Sequence, residues 1–208
     1  MTPKALAFVL ATCLLASGPS PAPFSALPEA AAAATTAVTA AAAASGSGTC
    51  SYDAHHEKLW CSLRTLNAQN NTASIQSSTR ARHINVTCSD VFFYESVLRT
   101  NHFGYLPNLQ SLSLEFCKIR RIPSLAFSGL SGLRDLVIRT HNSEWSAMVM
   151  ELESDAFTGL NSLRTLNLTM NNLWTVPSST FCSGLNSLVD LNLSDNFLQV
   201  LSLIFHPY

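Results

Sequence analysis

Leucines at fixed offsets dominate the second half of the chain. The segments are Leu109–Ile119 (LQSLSLEFCKI), Leu133–His141 (LRDLVIRTH), Leu163–Leu173 (LRTLNLTMNNL) and Leu188–Leu198 (LVDLNLSDNFL). The third and fourth follow L-x-x-L-x-L-x-x-N-x-L and the first two are variants of it, and their first leucines, at 109, 133, 163 and 188, lie 24, 30 and 25 residues apart. Alternation in the L-x-L core sends two leucines to one face of a short strand and the residue between them to the other. One such unit cannot bury its leucines alone. Successive units must therefore stack, strand beside strand, and pool them in a shared interior.

This pattern and spacing is the leucine-rich repeat. The expected fold is an α/β solenoid: a fragment of a leucine-rich-repeat horseshoe, with short parallel strands on the concave face and an N-terminal cysteine cap. The ninth-position asparagines (Asn171, Asn196) sit where the chain leaves the strand, and their amides can pair backbone groups left without partners. Cys117 takes that place in the first copy, and a buried thiol is expected there in preference to a disulfide. The outer halves repeat too, placing Phe127, Phe157 and Phe181 at matching points as a stacked aromatic spine. Gly129, Gly159 and Gly184 follow in turns that suit glycine. Copy two departs from the pattern. Either His141 stands in for asparagine or Asn142 slips into register, and extra residues within SEWSAMVM form a loop. Trp145 in that loop either anchors a partner or folds back over its own coil.

The front of the chain has a different character. Lys4 followed by the apolar run Ala5–Ala16 reads as a secretory signal, too short to span a bilayer, so residues 1–18 are assigned to it. Residues 19–48 are an Ala/Pro-rich disordered linker with little surface to bury. Residues 49–106 form the cap and a first irregular coil, and residues 107–208 the four copies, truncated. The tail LSLIFHPY lacks an outer half, which would leave Leu191 and Leu193 open to water.

Six cysteines are present, and Cys13 leaves with the signal. An oxidising compartment permits disulfides. Cys50 with Cys61 is the favoured pair, while the connectivity of Cys88, Cys117 and Cys182 stays open. His55 and His56 lie between Cys50 and Cys61, so a zinc site is the less favoured alternative.

The outward strand residues form three rows: Ser111, Asp135, Thr165, Asp190; then Ser113, Val137, Asn167, Asn192; then Glu115, Arg139, Thr169, Ser194. Glu115, Arg139 and Asp135, with Trp145, are the partner-binding candidates, and Glu115 can pair with Arg139 across coils. The surface is small, polar and without aromatic anchors. Four N-x-[S/T] acceptors occur, at Asn70, Asn85, Asn167 and Asn192. Asn167 and Asn192 each lie between two inward leucines, so their glycans would shield the concave face. A protein partner would then use a flank, the copy-two loop or further repeats.

The net charge is −1 with acids and bases interspersed, which argues against nucleic acid. No G-x-S-x-G elbow, H-E-x-x-H helix or phosphate-cradling loop is present, so no enzyme, cofactor or metal is expected.

The signal, the cysteine-containing cap and repeats with Phe-x-Gly-Leu outer halves together resemble a Toll-type receptor ectodomain. LQSLSLEFCKIRRIPSLAF followed by LRDLVIRTHNSEW is similar to the insect long Toll receptors, over roughly Cys50 to Leu198. That resemblance implies a cell-surface receptor in innate immune or developmental signalling. Its partners would be cystine-knot cytokine-like proteins or other leucine-rich-repeat surfaces. Membrane attachment would come through a transmembrane helix absent from this chain. The alternative is a secreted adhesion or matrix protein, or a soluble decoy.

Overall fold

The computed structural model describes residues 48–67, 75, 80–89, 94–142, 148–181 and 184–198. The signal, almost all of the linker, Asn70, Trp145, Cys182 and the tail after Leu198 lie outside them. The strands are β1 (Thr49–Asp53), β2 (Lys58–Leu63), β3 (His83–Cys88), β4 (Ser111–Glu115), β5 (Arg121–Ile122), β6 (Asp135–Arg139), β7 (Glu151–Leu152), β8 (Thr165–Asn167) and β9 (Asp190–Asn192).

One seven-stranded sheet runs β1-β2-β3-β4-β6-β8-β9. β1 is antiparallel to β2, and every later neighbour is parallel. The register aligns the leucines rung by rung: Leu112 with Leu136, Leu136 with Leu166, Leu166 with Leu191. All four are buried, with Leu109, Leu133, Leu163 and Leu188 in the row before them. The fold is a leucine-rich-repeat solenoid.

The ladder is longer than the leucine pattern alone implies. β2 pairs Leu59 with Ile84 of β3, and β3 pairs Ile84 with Leu112, so two further rungs precede the first leucine copy. KLWCSL and HINVTC place leucine, isoleucine, valine and cysteine inward in strict alternation. The period is that of a repeat strand, but the inward residues are mixed.

On the outer side, Phe103, Phe127, Phe157 and Phe181 stack with centroids 6.2, 6.0 and 6.2 Å apart and planes within 10°. Phe103 is a fourth member, from the coil whose outer half reads FGYL. Gly129 and Gly159 close the turns at φ +86° and +94°, which side-chain-bearing residues rarely adopt. β5 and β7 add a short parallel pair on this side.

The strand exits share one device. Phe116, His141, Met170 and Asp195 take left-handed φ of +54° to +61°. Each turns the next residue inward: Cys117, Asn142, Asn171, Asn196. Asn171 Nδ2 donates to Ile138 O at 2.7 Å, and its Oδ1 accepts from Thr140 N at 2.8 Å. Asn196 Nδ2 donates to Leu168 O at 2.8 Å, and its Oδ1 accepts from Asn171 N and Leu173 N. Copy two turns one residue late, so Asn142 takes the row, buried and donating to Ile119 O at 3.0 Å. The His141 ring instead stacks on Phe116, centroids 4.1 Å apart.

Two expectations are corrected. Cys117 is not a free thiol: it is disulfide-bonded to Cys88 at the exit of β3. Stacking the extra coil beside copy one puts the two inward cysteines on adjacent rungs, with Cα atoms 4.8 Å apart. Leu191 and Leu193 are not open to water but buried. After β9 the chain is tied to the preceding coil, Phe197 N donating to Leu173 O at 3.0 Å.

Candidate interaction surface

The non-core face of the sheet carries three rows, set by the pairing register. The first is Lys58, His83, Ser111, Asp135, Thr165, Asp190. Asp135 sits in it half-buried. The middle row is Trp60, Asn85, Ser113, Val137, Asn167, Asn192. Three of the four glycan acceptors therefore share one row. Neighbouring strands lie about 4.8 Å apart, so Asn167 and Asn192 are adjacent and Asn85 is about 14 Å from Asn167. The third row starts Ser62, Thr87, Glu115, Arg139 and then breaks, because β8 and β9 end two residues earlier than β6. Thr169 is buried there instead of facing out, its N–H donating to Asn167 Oδ1 at 3.0 Å. Asn192 closes the same turn, accepting from the N–H and Oγ of Ser194.

Arg139 Nη2 donates to Glu115 Oε1 at 2.7 Å across adjacent coils, and Ser113 Oγ approaches the same oxygen. Both side chains are partly exposed, so the pair contributes less than about 1 kcal/mol. It fixes charge positions on the face more than it holds the fold.

The face does hold an aromatic anchor, contrary to the expectation from the four leucine copies alone. Trp60 of β2 is 43% exposed at the head of the middle row. Beside it lies a depression of about 440 Å³, lined by Trp60, Asn85, Thr87, Ser113 and Glu115. The signal was present in KLWCSL, where alternation around Leu59 and Cys61 sends Trp60 outward, but nothing in the leucine pattern marked that segment as a rung.

At the strand entrances, Arg82, Arg134 and Arg164 each stand one residue before or at the start of a rung, and all are exposed. Arg80, Arg82 and Arg134 border a second depression of about 700 Å³. Glu57 pairs with Arg82 at 2.6 Å. A charge count along the chain hides this row, because Arg82, Arg134 and Arg164 follow one another at intervals of 52 and 30 residues and share one edge of the sheet only through the coil spacing.

Cys50 and Cys61 form a disulfide at the β1–β2 hairpin. This removes both sulfurs from the zinc alternative. His56 is held by Asp53, Nδ1 to Oδ2 2.6 Å, and Asp53 Oδ1 also accepts from His55 N. These bonds, the His56 side chain first, hold the Asp53 carboxyl below its ordinary value. Among the described residues no group of three or more metal-ligating side chains gathers, and no helix is long and apolar enough to cross a membrane.

Comparison with known proteins agrees with the geometry. The Leucine Rich Repeat family model matches residues 108–130 and 162–184. Toll-like receptor 7 of Drosophila melanogaster is 36% identical over 123 residues, 59% of this chain and 8% of that protein. Toll-like receptor 3 of Bos taurus is 34% identical over 110 residues, 51% of this chain and 12% of that protein. Keratocan of Gallus gallus is 44% identical over 71 residues, 34% of this chain and 19% of that protein. The chain thus spans less than a fifth of each of these relatives.

Proposed function

We propose that the chain is an extracellular, glycosylated, protein-binding part of a Toll-type receptor ectodomain, of the insect long Toll subgroup, acting in innate immune or developmental signalling. The match to Toll-like receptor 7 over 123 residues carries this reading. Residues 1–18 deliver the chain to the secretory pathway, and 19–48 space the solenoid from its front. Asn70, Asn85, Asn167 and Asn192 are the glycan sites. With three of them in the middle row, sugar covers the centre of the concave face. A partner of the cystine-knot cytokine class, or another leucine-rich-repeat surface, then approaches along the flank, where Arg82, Arg134 and Arg164 would meet acidic groups. Asp135, in the first row, stands beside that flank, and Glu115 and Arg139, at the strand exits, with Trp145 as a further candidate, are the contacts proposed for a partner that reaches across the face. Opposed charges of this kind raise association rates and set register.

Binding of the immobilised secreted chain to a cystine-knot protein, and to a second copy of itself, tests this reading. Saturable binding to one of them is expected, and Arg134→Glu with Arg164→Glu should weaken it about tenfold and flatten its salt dependence. No saturable binding to either, or a double variant that binds as wild type, would refute it.

The similarity to keratocan, whose name does not make it a receptor, favours a second reading: a secreted adhesion or matrix protein, or a soluble decoy. A transcript that continues into more repeats and an apolar run of about 20 residues would select the receptor.

A further inference from the structure

The depression on the concave face has a built-in occupant within reach. Asn85, in the sequence Asn-Val-Thr, pairs directly with Trp60 across two parallel strands. Both side chains are exposed on the same face, since Leu59, Cys61, Ile84 and Val86 alternate with them and are buried. Residues level with each other on neighbouring strands stand about 4.8 Å apart. On the other side of Trp60 the partner is Ser51, too small to cover an indole. The indole face is therefore open where the first sugar on Asn85 must emerge.

We propose that Trp60 is the packing site for the N-linked glycan of Asn85. The apolar C–H face of the first N-acetylglucosamine lies on the indole ring, whose negative face attracts those polarised hydrogens. Thr87, Ser113 and Glu115 line the same depression and offer a hydroxyl, a hydroxyl and a carboxylate to the sugar's own hydroxyls. The site serves Asn85 alone. Asn167 lies four strands from Trp60, about 19 Å away, and no aromatic residue stands beside it in the row. The glycan covers the Trp60 ring, which would otherwise be a sticky patch at the head of the face, and becomes a fixed part of the surface.

This inference rests on the glycosylated, extracellular reading above, and the experiment separates the two. The full chain is secreted from eukaryotic cells as wild type, Trp60→Ala and Trp60→Phe. Site occupancy is read by glycopeptide mass, and the rate of enzymatic glycan release from the native protein is followed at Asn85 and Asn167. In the wild type, release at Asn85 should be about fivefold slower than in Trp60→Ala, with Trp60→Phe intermediate and Asn167 unchanged in all three. Wild-type spectra should also show Overhauser contacts between the N-acetyl methyl group and the indole protons. An unoccupied Asn85, or equal release rates in wild type and Trp60→Ala, overturns the inference. Occupied Asn167 and Asn192 in that case leave the glycoprotein reading standing, whereas four unoccupied acceptors overturn both.

Discussion

Asn171 shows what a single side chain contributes to stacking. It is fully buried, and its amide pairs one carbonyl and one N–H of the preceding coil. Asn171→Ala leaves both without partners, so chemical denaturation should show a loss of about 2–4 kcal/mol. Tyr105 makes the opposite case. Its hydroxyl is buried with no hydrogen-bond partner, and burial pushes its pKa up to about 12. Tyr105→Phe removes that desolvated group and should stabilise the chain by about 1 kcal/mol in the same assay. His102 is held below its ordinary value, first by burial and then by Arg99. Its unfolded form therefore takes up a proton before the folded form does. Stability from this group is full above about pH 6.5 and is lost as pH falls towards the depressed folded value. Melting temperature should drop between pH 7.5 and 5.5, and less so in His102→Gln. Asn171 and Asn196 were legible in the sequence because the ninth position names them. The sequence does not decide between Asn142 and His141, because a turn delayed by one residue is a backbone event that no letter marks. Cys117 was misread because its partner sits in a coil the leucine pattern does not reach.

At the scale of elements, the phenylalanine spine and the disulfides fasten neighbouring coils. Phe157 is stacked on both sides, by Phe127 and Phe181. Phe157→Ala should cost about 3–5 kcal/mol, more than Phe103→Ala at the end of the stack, measured by thermal or denaturant unfolding. Cys88–Cys117 spans 29 residues and ties the coil of β3 to copy one. Replacing both cysteines by serine should cost about 3–4 kcal/mol, and mild reductant should lower the wild type's denaturation midpoint but not the variant's relative to its own oxidised form by as much. On the outer limb, Arg120 beside Glu95 holds that carboxylate below its ordinary range. Ser124 N–H and then Arg121 do the same for Glu153. These inter-coil ties persist above the ordinary glutamate value and are lost as pH falls through the lowered folded values. The leucine-bearing strands were readable from spacing. β2 and β3 were not, since their inward residues are mixed and only their alternation of two betrays them.

For the whole molecule, each coil touches its two neighbours, so stability is shared along one dimension. Coils at the centre are held on both sides. Hydrogen exchange should therefore be slowest in β4 and β6 and faster in β9, and Leu136→Ala should cost more than Leu191→Ala within the 2–5 kcal/mol typical of such truncations. Equal protection from β2 to β9 would mean that the array unfolds as one block. The overall architecture was legible from four leucine segments, whereas the composition of the surface was not. The middle row of acceptors, Trp60 at its head and the arginine flank all come from residues far apart in sequence that the coil spacing gathers. The two ends of the sheet are also unlike. β1 turns back on β2 through a four-residue hairpin and runs against every other strand, offering a parallel newcomer the wrong polarity, while β9 keeps the polarity of the ladder. The hairpin, closed by its own short loop and Cys50–Cys61, forms at the smallest entropic cost of any pairing here. The hairpin is therefore the cheapest local place for order to begin, and pairing can pass from β2 to β3 and on along the ladder, each coil laying down the edge that the next one uses.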